Sequence, residues 1–233
     1  MESLSLQQTQ VQIRVNEFIR SVYNWMAIGL CLTGFIAFYV SNNDAILSLI
    51  LGNQILFFGL IIGELALVFS LSARIQKIKA STATAMFLLY SALNGLTLSF
   101  IFLVYTSSTI TSTFFICAGT FVACSVYGMI TKRDLTSVGG FMAMGLFGII
   151  IASVVNLFIG SYGLHMIIAY LGVFIFIGLT AYDTQQLKTM ALAQPDGLDA
   201  GIIRKGAIMG ALKLYLDFIN LFLMLLRILG NRE

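Results

Sequence analysis

Seven apolar stretches dominate the sequence, and each is long enough to cross the hydrocarbon core of a bilayer, which takes about 20 helical residues. The chain has 233 residues, of which 59% are hydrophobic and 10% charged, whereas a soluble domain has about 25% charged residues. The sequence therefore predicts an all-α membrane protein with seven transmembrane helices in one compact domain. The predicted spans are approximately 22–40, 54–72, 82–105, 111–130, 138–160, 165–187 and 205–230.

The first 21 residues differ from the rest of the chain because they are mostly polar. They do not show the pattern of a cleaved signal peptide. We expect residues 1–21 to form a cytoplasmic arm and residues 22–230 to form the membrane domain, with the first span itself directing insertion.

The basic residues are distributed unevenly between the connections. Ten of the thirteen lysines and arginines fall in the N-terminal arm and in the second, fourth and sixth connections: Arg14, Arg20, Arg74, Lys77, Lys79, Lys132, Arg133, Lys188, Arg204 and Lys205. The first, third and fifth connections contain none. The positive-inside rule then predicts a cytoplasmic N-terminus and a C-terminus outside.

The last span carries an unusual polar stripe. Its members recur at steps of four and three, with Met224 in the one gap: Gly206, Gly210, Lys213, Asp217, Asn220 and Arg227. A helix places such a series on one face. A charge at bilayer depth costs at least about 2.5–3.5 kcal/mol, so this face must turn towards protein or water. The pattern predicts a central helix, which a neighbour can approach closely at its two glycines.

Three acidic residues lie within the spans, and intramembrane acids are candidate functional residues. Asp183 lies near the cytoplasmic end of the sixth span, Asp217 near the middle of the seventh, and Glu64 near the middle of the second. Two facing carboxylates in a low dielectric share a proton and titrate as one unit. The alternatives are that Asp183 is an interfacial cap and that Asp217 and Glu64 make structural hydrogen bonds.

Other polar residues of the spans allow two interpretations each. Arg74 ends the second span and could pair with an acid or lie at the interface to set topology. Asn94 and Asn156 are mid-span amides that could line a pathway or join helices by hydrogen bonds. Lys213, one turn before Asp217, could pair with that acid, extend towards the interface, or line a vestibule.

The sequence excludes several enzyme classes by their motifs. It has no nucleotide-binding glycine loop, no His-Glu-x-x-His and no pair of Cys-x-x-Cys motifs. An intramembrane aspartyl protease would also use two aspartates that share a proton. That class carries Gly-x-Gly-Asp at the second acid, whereas this chain has Leu214-Tyr-Leu-Asp217 and no proline after Pro195. We therefore do not expect an enzyme.

The run from Leu214 to Gly230, LYLDFINLFLMLLRILG, resembles the C-terminal signature of the transmembrane Bax inhibitor motif family. The segments Ala181-Tyr-Asp-Thr-Gln-Gln-Leu-Lys188 and Ala92-Leu-Asn-Gly-Leu-Thr-Leu-Ser99, with the glutamate of the second span, also fit that family. The resemblance runs from the first span to the end of the chain, and a bacterial member of the family is indicated.

The family resemblance implies both a fold and a function. The fold would be two three-helix layers around a central C-terminal helix. The function would be a pH-sensitive passive calcium leak, in which a hydrogen-bonded aspartate pair controls opening and an arginine of the second span latches it. The pair corresponds to Asp183 and Asp217, and the latch corresponds to Arg74.

Taken together, the sequence predicts a calcium leak channel in a bacterial inner membrane. Calcium takes oxygen ligands in irregular geometry, and the candidate oxygens are those of Glu64, Asn94, Asp183, Asp217 and Asn220. We expect no cofactor, transient rather than resident calcium, and no nucleic-acid partner; the partners would be the bilayer, calcium and protons. The alternatives are a regulator that binds other membrane proteins without transport, and a proton-coupled cation antiporter.

Overall fold

The computed structural model describes residues 2–195 and 197–230, with side chains described from residue 10 onwards. Within that part of the chain every regular element is an α-helix. The bounds are α1 Glu2–Ser41, α2 Asp44–Gly52, α3 Gln54–Arg74, α4 Ala80–Leu98, α5 Ile101–Val104, α6 Ser107–Ile130, α7 Thr136–Ile159, α8 Tyr162–Leu192 and α9 Ala200–Leu229.

Seven helical stretches are long and apolar enough to cross a membrane, which confirms the predicted number. They are Gln10–Ser41, Gln54–Arg74, Ala80–Val104, Ser107–Ile130, Thr136–Ile159, Tyr162–Leu192 and Ala200–Leu229. Of their most apolar windows, the one in α9 has the largest buried share, 61%, and the one in α3 the smallest, 6%. The polar stripe therefore does identify the span that is most covered by protein.

Two features of the helices were not predicted. The connection after the first span contains the helix α2, whose first turn is capped by Asn43: its Oδ1 accepts a hydrogen bond from the Ile46 amide at 3.2 Å. The third span is interrupted between α4 and α5, at Ser99 and Phe100. There the Ser99 hydroxyl donates to the Leu96 carbonyl at 2.7 Å, and such local bonding of serine competes with regular helix geometry.

The chain divides into two compact units. Unit 1 comprises residues 1–104 and 190–215, and unit 2 comprises residues 105–189 and 216–233. The helix α9 thus contributes its first half to unit 1 and its second half to unit 2. Both aspartates of the predicted pair belong to unit 2, whereas Glu64, Asn94 and Arg74 belong to unit 1.

In unit 1, α1 and α4 pack closely along a stripe of α1 that recurs every three or four residues. Its buried members include Val15, Phe18, Val22, Met26, Thr33, Ala37 and Val40. A methyl group added at Gly95 of α4 would lie 2.8 Å from the Thr33 carbonyl oxygen. The absence of a side chain at Gly95 is therefore what allows α4 to approach the α1 backbone.

In unit 2, aromatic rings join α6 to the second half of α9. Phe218 makes edge-to-face contacts with Phe121, at 5.4 Å between ring centroids, and with Phe114, at 5.7 Å. Cys117, which lies between Phe114 and Phe121 in the sequence, is fully buried. Its thiol lies 3.7 Å from the Phe218 carbonyl oxygen. These contacts hold the turn of α9 that follows Asp217.

Candidate functional site

The two aspartates of the predicted pair are buried in the same compact unit. Asp183 is 9% exposed on α8, and Asp217 is 6% exposed on α9. Carboxylates are almost never this buried unless they are satisfied by partners. The burial of both favours a functional or network role over the alternative of an exposed interfacial cap at Asp183.

The positions of the aspartates along their helices leave an axial offset. Asp183 lies nine residues before the end of α8, and Asp217 lies seventeen residues after the start of α9. In ideal straight antiparallel helices this difference corresponds to about 12 Å. Since α8 runs without a break through Asp183, direct contact between the carboxylates requires tilted helices, or a start of α9 that is not level with the end of α8.

The turn of α8 around Asp183 lies against α6 and α7 through two glycines. A methyl group added at Gly128 of α6 would overlap the carbonyl oxygen of Ala181. One added at Gly139 of α7 would overlap the ring of Tyr182. Ala181 and Tyr182, immediately before Asp183, therefore pack directly on the backbones of α6 and α7, and no side chain fits at Gly128 or Gly139.

Two polar side chains after Asp183 bind main-chain atoms of the α6–α7 connection and of the last turn of α6. The Gln185 Oε1 accepts a hydrogen bond from the Leu135 amide at 2.8 Å, and its Nε2 donates to the Arg133 carbonyl at 2.8 Å. The Lys188 ammonium donates to the Met129 carbonyl, at 2.6 Å, near the end of α6. A cation at a helix C-terminus interacts favourably with the unsatisfied carbonyls and the helix dipole.

Glu64 of unit 1 has a specific partner. The Thr97 hydroxyl, on α4, lies 2.9 Å from the Glu64 Oε1 and donates to it. The same hydroxyl lies 3.1 Å from the carbonyl of Asn94, one turn earlier on α4. The Thr97 hydroxyl therefore places the Glu64 carboxylate of α3 beside the turn of α4 that contains Asn94. Both residues were predicted to line the pathway.

Further hydroxyl groups extend this arrangement through unit 1. The Asn94 Nδ2 donates to the Tyr90 hydroxyl at 3.1 Å, and the Asn94 Oδ1 is buried without a hydrogen-bond partner among the described residues. The Tyr90 ring packs edge-to-face on Tyr215 of α9, at 5.7 Å between centroids. The Tyr215 hydroxyl in turn lies 2.6 Å from the Thr33 Oγ1.

The direction of the bond between Tyr215 and Thr33 follows from the other acceptors. The Thr33 hydroxyl has one hydrogen and lies 2.7 Å from the Ser91 carbonyl and 3.0 Å from the Gly29 carbonyl. Because that hydrogen points to a carbonyl, Tyr215 is the donor to Thr33. We call Glu64, Thr97, Asn94, Tyr90, Tyr215 and Thr33 the hydroxyl network.

Two of the predicted site residues, Arg74 and Asn220, lie outside these groups. Arg74 is exposed in the last turn of α3. Asn220 is half-buried, and its Nδ2 donates within its own helix to the Leu216 carbonyl at 2.8 Å. Lys213 is exposed in the half of α9 that belongs to unit 1. The latch role of Arg74 and the pathway role of Asn220 stay predictions.

No group of three or more histidine, cysteine, aspartate or glutamate side chains is arranged to hold a metal ion within residues 2–195 and 197–230.

In the connection after α6, Asp134 accepts a hydrogen bond from the Thr136 amide at 2.8 Å, through its Oδ1. Hydrogen bonding from Thr136 lowers the pKa of this exposed carboxyl below its ordinary value.

Comparison with known proteins identifies the family. The sequence matches the family described as "Inhibitor of apoptosis-promoting Bax1" over residues 15–233. The chain belongs to this Bax inhibitor family. The resemblance seen in the sequence motifs is thereby confirmed, and it covers all seven spans.

Several bacterial proteins of known sequence are similar to this family member over nearly their whole length. It is 52% identical to the inner membrane protein YbhL of Escherichia coli K12, over 96% of this chain and 95% of the relative. It is 47% identical to an uncharacterized protein of Borreliella burgdorferi, over 100% and 99%. It is 37% identical to an uncharacterized membrane protein of Streptococcus pyogenes serotype M1, over 97% of each. These relatives fit a multi-pass inner membrane protein.

Sequence reasoning on this Bax inhibitor family member missed some residues that organise the site. Gln185 was considered only as part of the motif around Asp183, and Lys188 only there and as a basic residue of the sixth connection, although both follow Asp183 closely in the sequence. Tyr215 lies two residues before Asp217, and nothing in the local pattern distinguishes its buried hydroxyl from an apolar packing residue. Its partner Thr33 is 182 residues away in the sequence, so that a single sequence carries no sign of the bond.

Proposed function

We propose that this protein is a pH-sensitive calcium leak channel of a bacterial inner membrane, in which Asp183 and Asp217 form the gate. The observation that carries the proposal is the burial of both aspartates within one compact unit of a Bax inhibitor family member. Buried acids inside a membrane are costly, and they are retained at ion and proton pathways.

The proposed mechanism is electrostatic. When both aspartates are ionised, they repel each other and attract a divalent cation more strongly than when they share one proton. A change of one proton on the pair therefore changes both the spacing of the carboxylates and the free energy of a calcium ion between them. No covalent chemistry is needed, so we propose a transport function and not an enzyme.

The other oxygen groups would form separate steps along the pathway. Glu64 offers a carboxylate whose Oε1 is held by Thr97, and Asn94 offers a buried amide oxygen. Calcium binds carboxylate and amide oxygens in flexible geometry. Calcium is here the transported ion, held transiently, and Arg74 is proposed as the latch only by its correspondence to the family arginine.

The proposed orientation places the N-terminus in the cytoplasm and the C-terminus outside. It is supported by the ten basic residues on one side of the predicted membrane, because lysine and arginine are enriched in cytoplasmic connections. In this orientation Asp183, and the contacts of Gln185 with the α6–α7 connection, lie towards the cytoplasm.

The proposal is tested by calcium flux into liposomes that contain only this protein, measured with an enclosed calcium dye. We expect the wild-type flux to change between about pH 6 and 8, because two facing carboxylates in a low dielectric share a proton and titrate as one unit. Asp183→Asn and Asp217→Asn should each abolish this pH response. The double variant should resemble the single ones because the carboxylates act together.

Three outcomes would contradict the proposal. A wild-type flux that is flat over this pH range, or a single variant that keeps the wild-type response, would remove the aspartate gate. Calcium accumulation against its own gradient, driven by a proton gradient, would identify an antiporter. Folded protein with no flux at any pH would favour a regulator that acts through other membrane proteins.

A further inference from the structure

The turn of α8 that follows Asp183 is tied to a non-helical segment by an unusual side chain. The amide of Gln185 bonds with both of its polar atoms to main-chain atoms two residues apart, the Arg133 carbonyl and the Leu135 amide, each at 2.8 Å. The amide oxygen accepts and the amide nitrogen donates, so both polar ends of the Gln185 side chain are satisfied by the main chain of one connection. We call Gln185 and residues 133–135 the glutamine clamp.

The clamp acts on a segment that other contacts with α6 and α7 already constrain. Ala181 and Tyr182 are seated on Gly128 of α6 and Gly139 of α7, and Lys188 binds the last turn of α6 through the Met129 carbonyl. The contacts at Gly128 and Gly139 limit how closely α8 can approach α6 and α7. A helix that packs on small residues can nevertheless still rotate or slide. Hydrogen bonds of fixed length to a connection that is anchored at both ends remove that freedom.

The connection itself is well placed to serve as an anchor. Leu135 is 5% exposed, so its amide has little access to water and would be left unsatisfied if Gln185 did not accept its hydrogen bond. Asp134 accepts from the Thr136 amide and fixes the first turn of α7 directly after the clamp. The clamp therefore joins α8 to the start of one helix and the end of another.

We propose that Gln185 is a positioning residue for Asp183: the glutamine clamp sets the rotation and depth of the α8 turn that holds the Asp183 carboxyl away from solvent. This inference rests on the proposed function for its significance, since Asp183 is there a member of the gate. It concerns the placement of the side chain, however, and it is measurable without any ion flux.

The test uses dicyclohexylcarbodiimide, an apolar reagent that modifies protonated carboxyl groups, on the full-length protein in detergent. Site-resolved mass spectrometry gives the modification rates of Asp183 and of Glu64 in the same sample. Gln185→Met keeps the length of the side chain and removes both hydrogen bonds. We expect the rate at Asp183 to rise at least about fivefold, the factor by which one hydrogen bond of ordinary strength changes an equilibrium.

Two further variants make the result specific. Gln185→Glu keeps an acceptor for the Leu135 amide and loses the donor to Arg133, so its rate at Asp183 should lie between those of wild type and Gln185→Met. Gln186→Met alters the neighbouring exposed glutamine, whose Nε2 donates to the Tyr182 hydroxyl of the same helix, and should leave the rate at Asp183 unchanged. If Gln185→Met does not yield folded protein, the test compares the modification rate of Asp183 in Gln185→Glu with that in Gln186→Met. The rate should be higher in Gln185→Glu.

Two results would overturn the proposal. One is a rate at Asp183 in the Gln185 variants equal to that of the wild type. The other is a rise at Asp183 that is matched at Glu64, because this would report general loosening of the protein. A wild-type protein that shows the expected labelling but conducts no calcium would refute the proposed function and leave the positioning role of Gln185 intact.

Discussion

The two compact units hold their polar residues in different ways. In unit 1, Glu64, Asn94 and Tyr215 each bond to another side chain in the interior of the spans. In unit 2, Gln185 and Lys188 bond to main-chain atoms at the helix ends, and the turn before Asp183 is seated directly on glycine backbones. Unit 1 thus has a network of side-chain hydrogen bonds in addition to its close backbone approach at Gly95, whereas the turn before Asp183 in unit 2 depends on backbone approach at two glycines.

This difference indicates which substitutions each unit tolerates. A hydroxyl that is lost from a network costs the net free energy of a hydrogen bond, about 1 kcal/mol, because the remaining groups can rearrange. A methyl group that is added between two backbones has no such relief, since the main chain of a helix yields only if the whole helix moves. The turn before Asp183 in unit 2 should therefore be more sensitive to small changes in size than the hydroxyl network of unit 1.

The largest expected effect is that of Gly128→Ala in unit 2. The added methyl group would overlap the Ala181 carbonyl oxygen and push α8 away from α6. We expect the free energy of unfolding to fall by about 3 kcal/mol, at the upper end for overpacked sites, with a lower thermal midpoint in detergent. Gly119→Ala on the same helix is the control, because nothing lies within 4 Å of the added group. Equal midpoints for the two variants would refute the backbone seat.

An intermediate effect is expected for Thr97→Val in unit 1. The variant keeps the shape of the side chain and removes the hydroxyl that donates to Glu64. The free energy of unfolding should fall by about 1–2 kcal/mol because a partly buried carboxyl loses its donor. Thr97→Ser should restore most of it.

The matched control for Thr97→Val is Thr82→Val, an exposed position on the same helix. It should have little effect in the same chemical or thermal unfolding assay. If Thr97→Val and Thr82→Val unfold alike, the bond to Glu64 contributes nothing to unit 1, and the contrast between the units disappears.

The smallest expected effect is at Asp134, which is exposed. Its folded-state pKa is lowered by hydrogen bonding from Thr136, so that its contribution is present above the ordinary aspartate value of about 3.9 and is lost as the pH falls below it. We expect hydrogen exchange of the Thr136 amide, relative to an unstructured peptide, to accelerate only at acidic pH. In Asp134→Asn, whose side chain does not titrate, that pH dependence should vanish; an unchanged acid response would exclude Asp134 as its source.

Much of the fold could be predicted from the sequence, because apolar length and polar spacing act locally. Seven stretches of sufficient length gave the right number of spans, and the stripe from Gly206 to Arg227 identified the most buried one. The boundaries were less predictable. The sixth span was expected to end at Leu187, but α8 continues to Leu192, because the polar residues after Asp183 fit a helix that projects beyond an apolar segment. The layers implied for the fold stay a prediction.

The candidate site was predictable to a smaller extent. Intramembrane acids are rare enough that Asp183, Asp217 and Glu64 could be selected by composition alone. Their partners could not be selected, because threonine, tyrosine and glutamine are common at positions where they bind nothing. Whether Thr97 faces Glu64, or Gln185 faces Leu135, depends on contacts between residues that are 33 and 50 positions apart.

The bond between Thr33 and Tyr215 has a consequence for how the chain is made. During synthesis the first span enters the membrane long before α9 emerges from the ribosome. The Thr33 hydroxyl therefore lies in lipid before its partner Tyr215 is present. It can do so because the Gly29 carbonyl, one turn earlier on the same helix, lies 3.0 Å away and accepts its hydrogen. A nascent first span therefore has no unsatisfied hydroxyl donor at Thr33, and the arrival of Tyr215 adds a bond at a side chain that is already compatible with lipid.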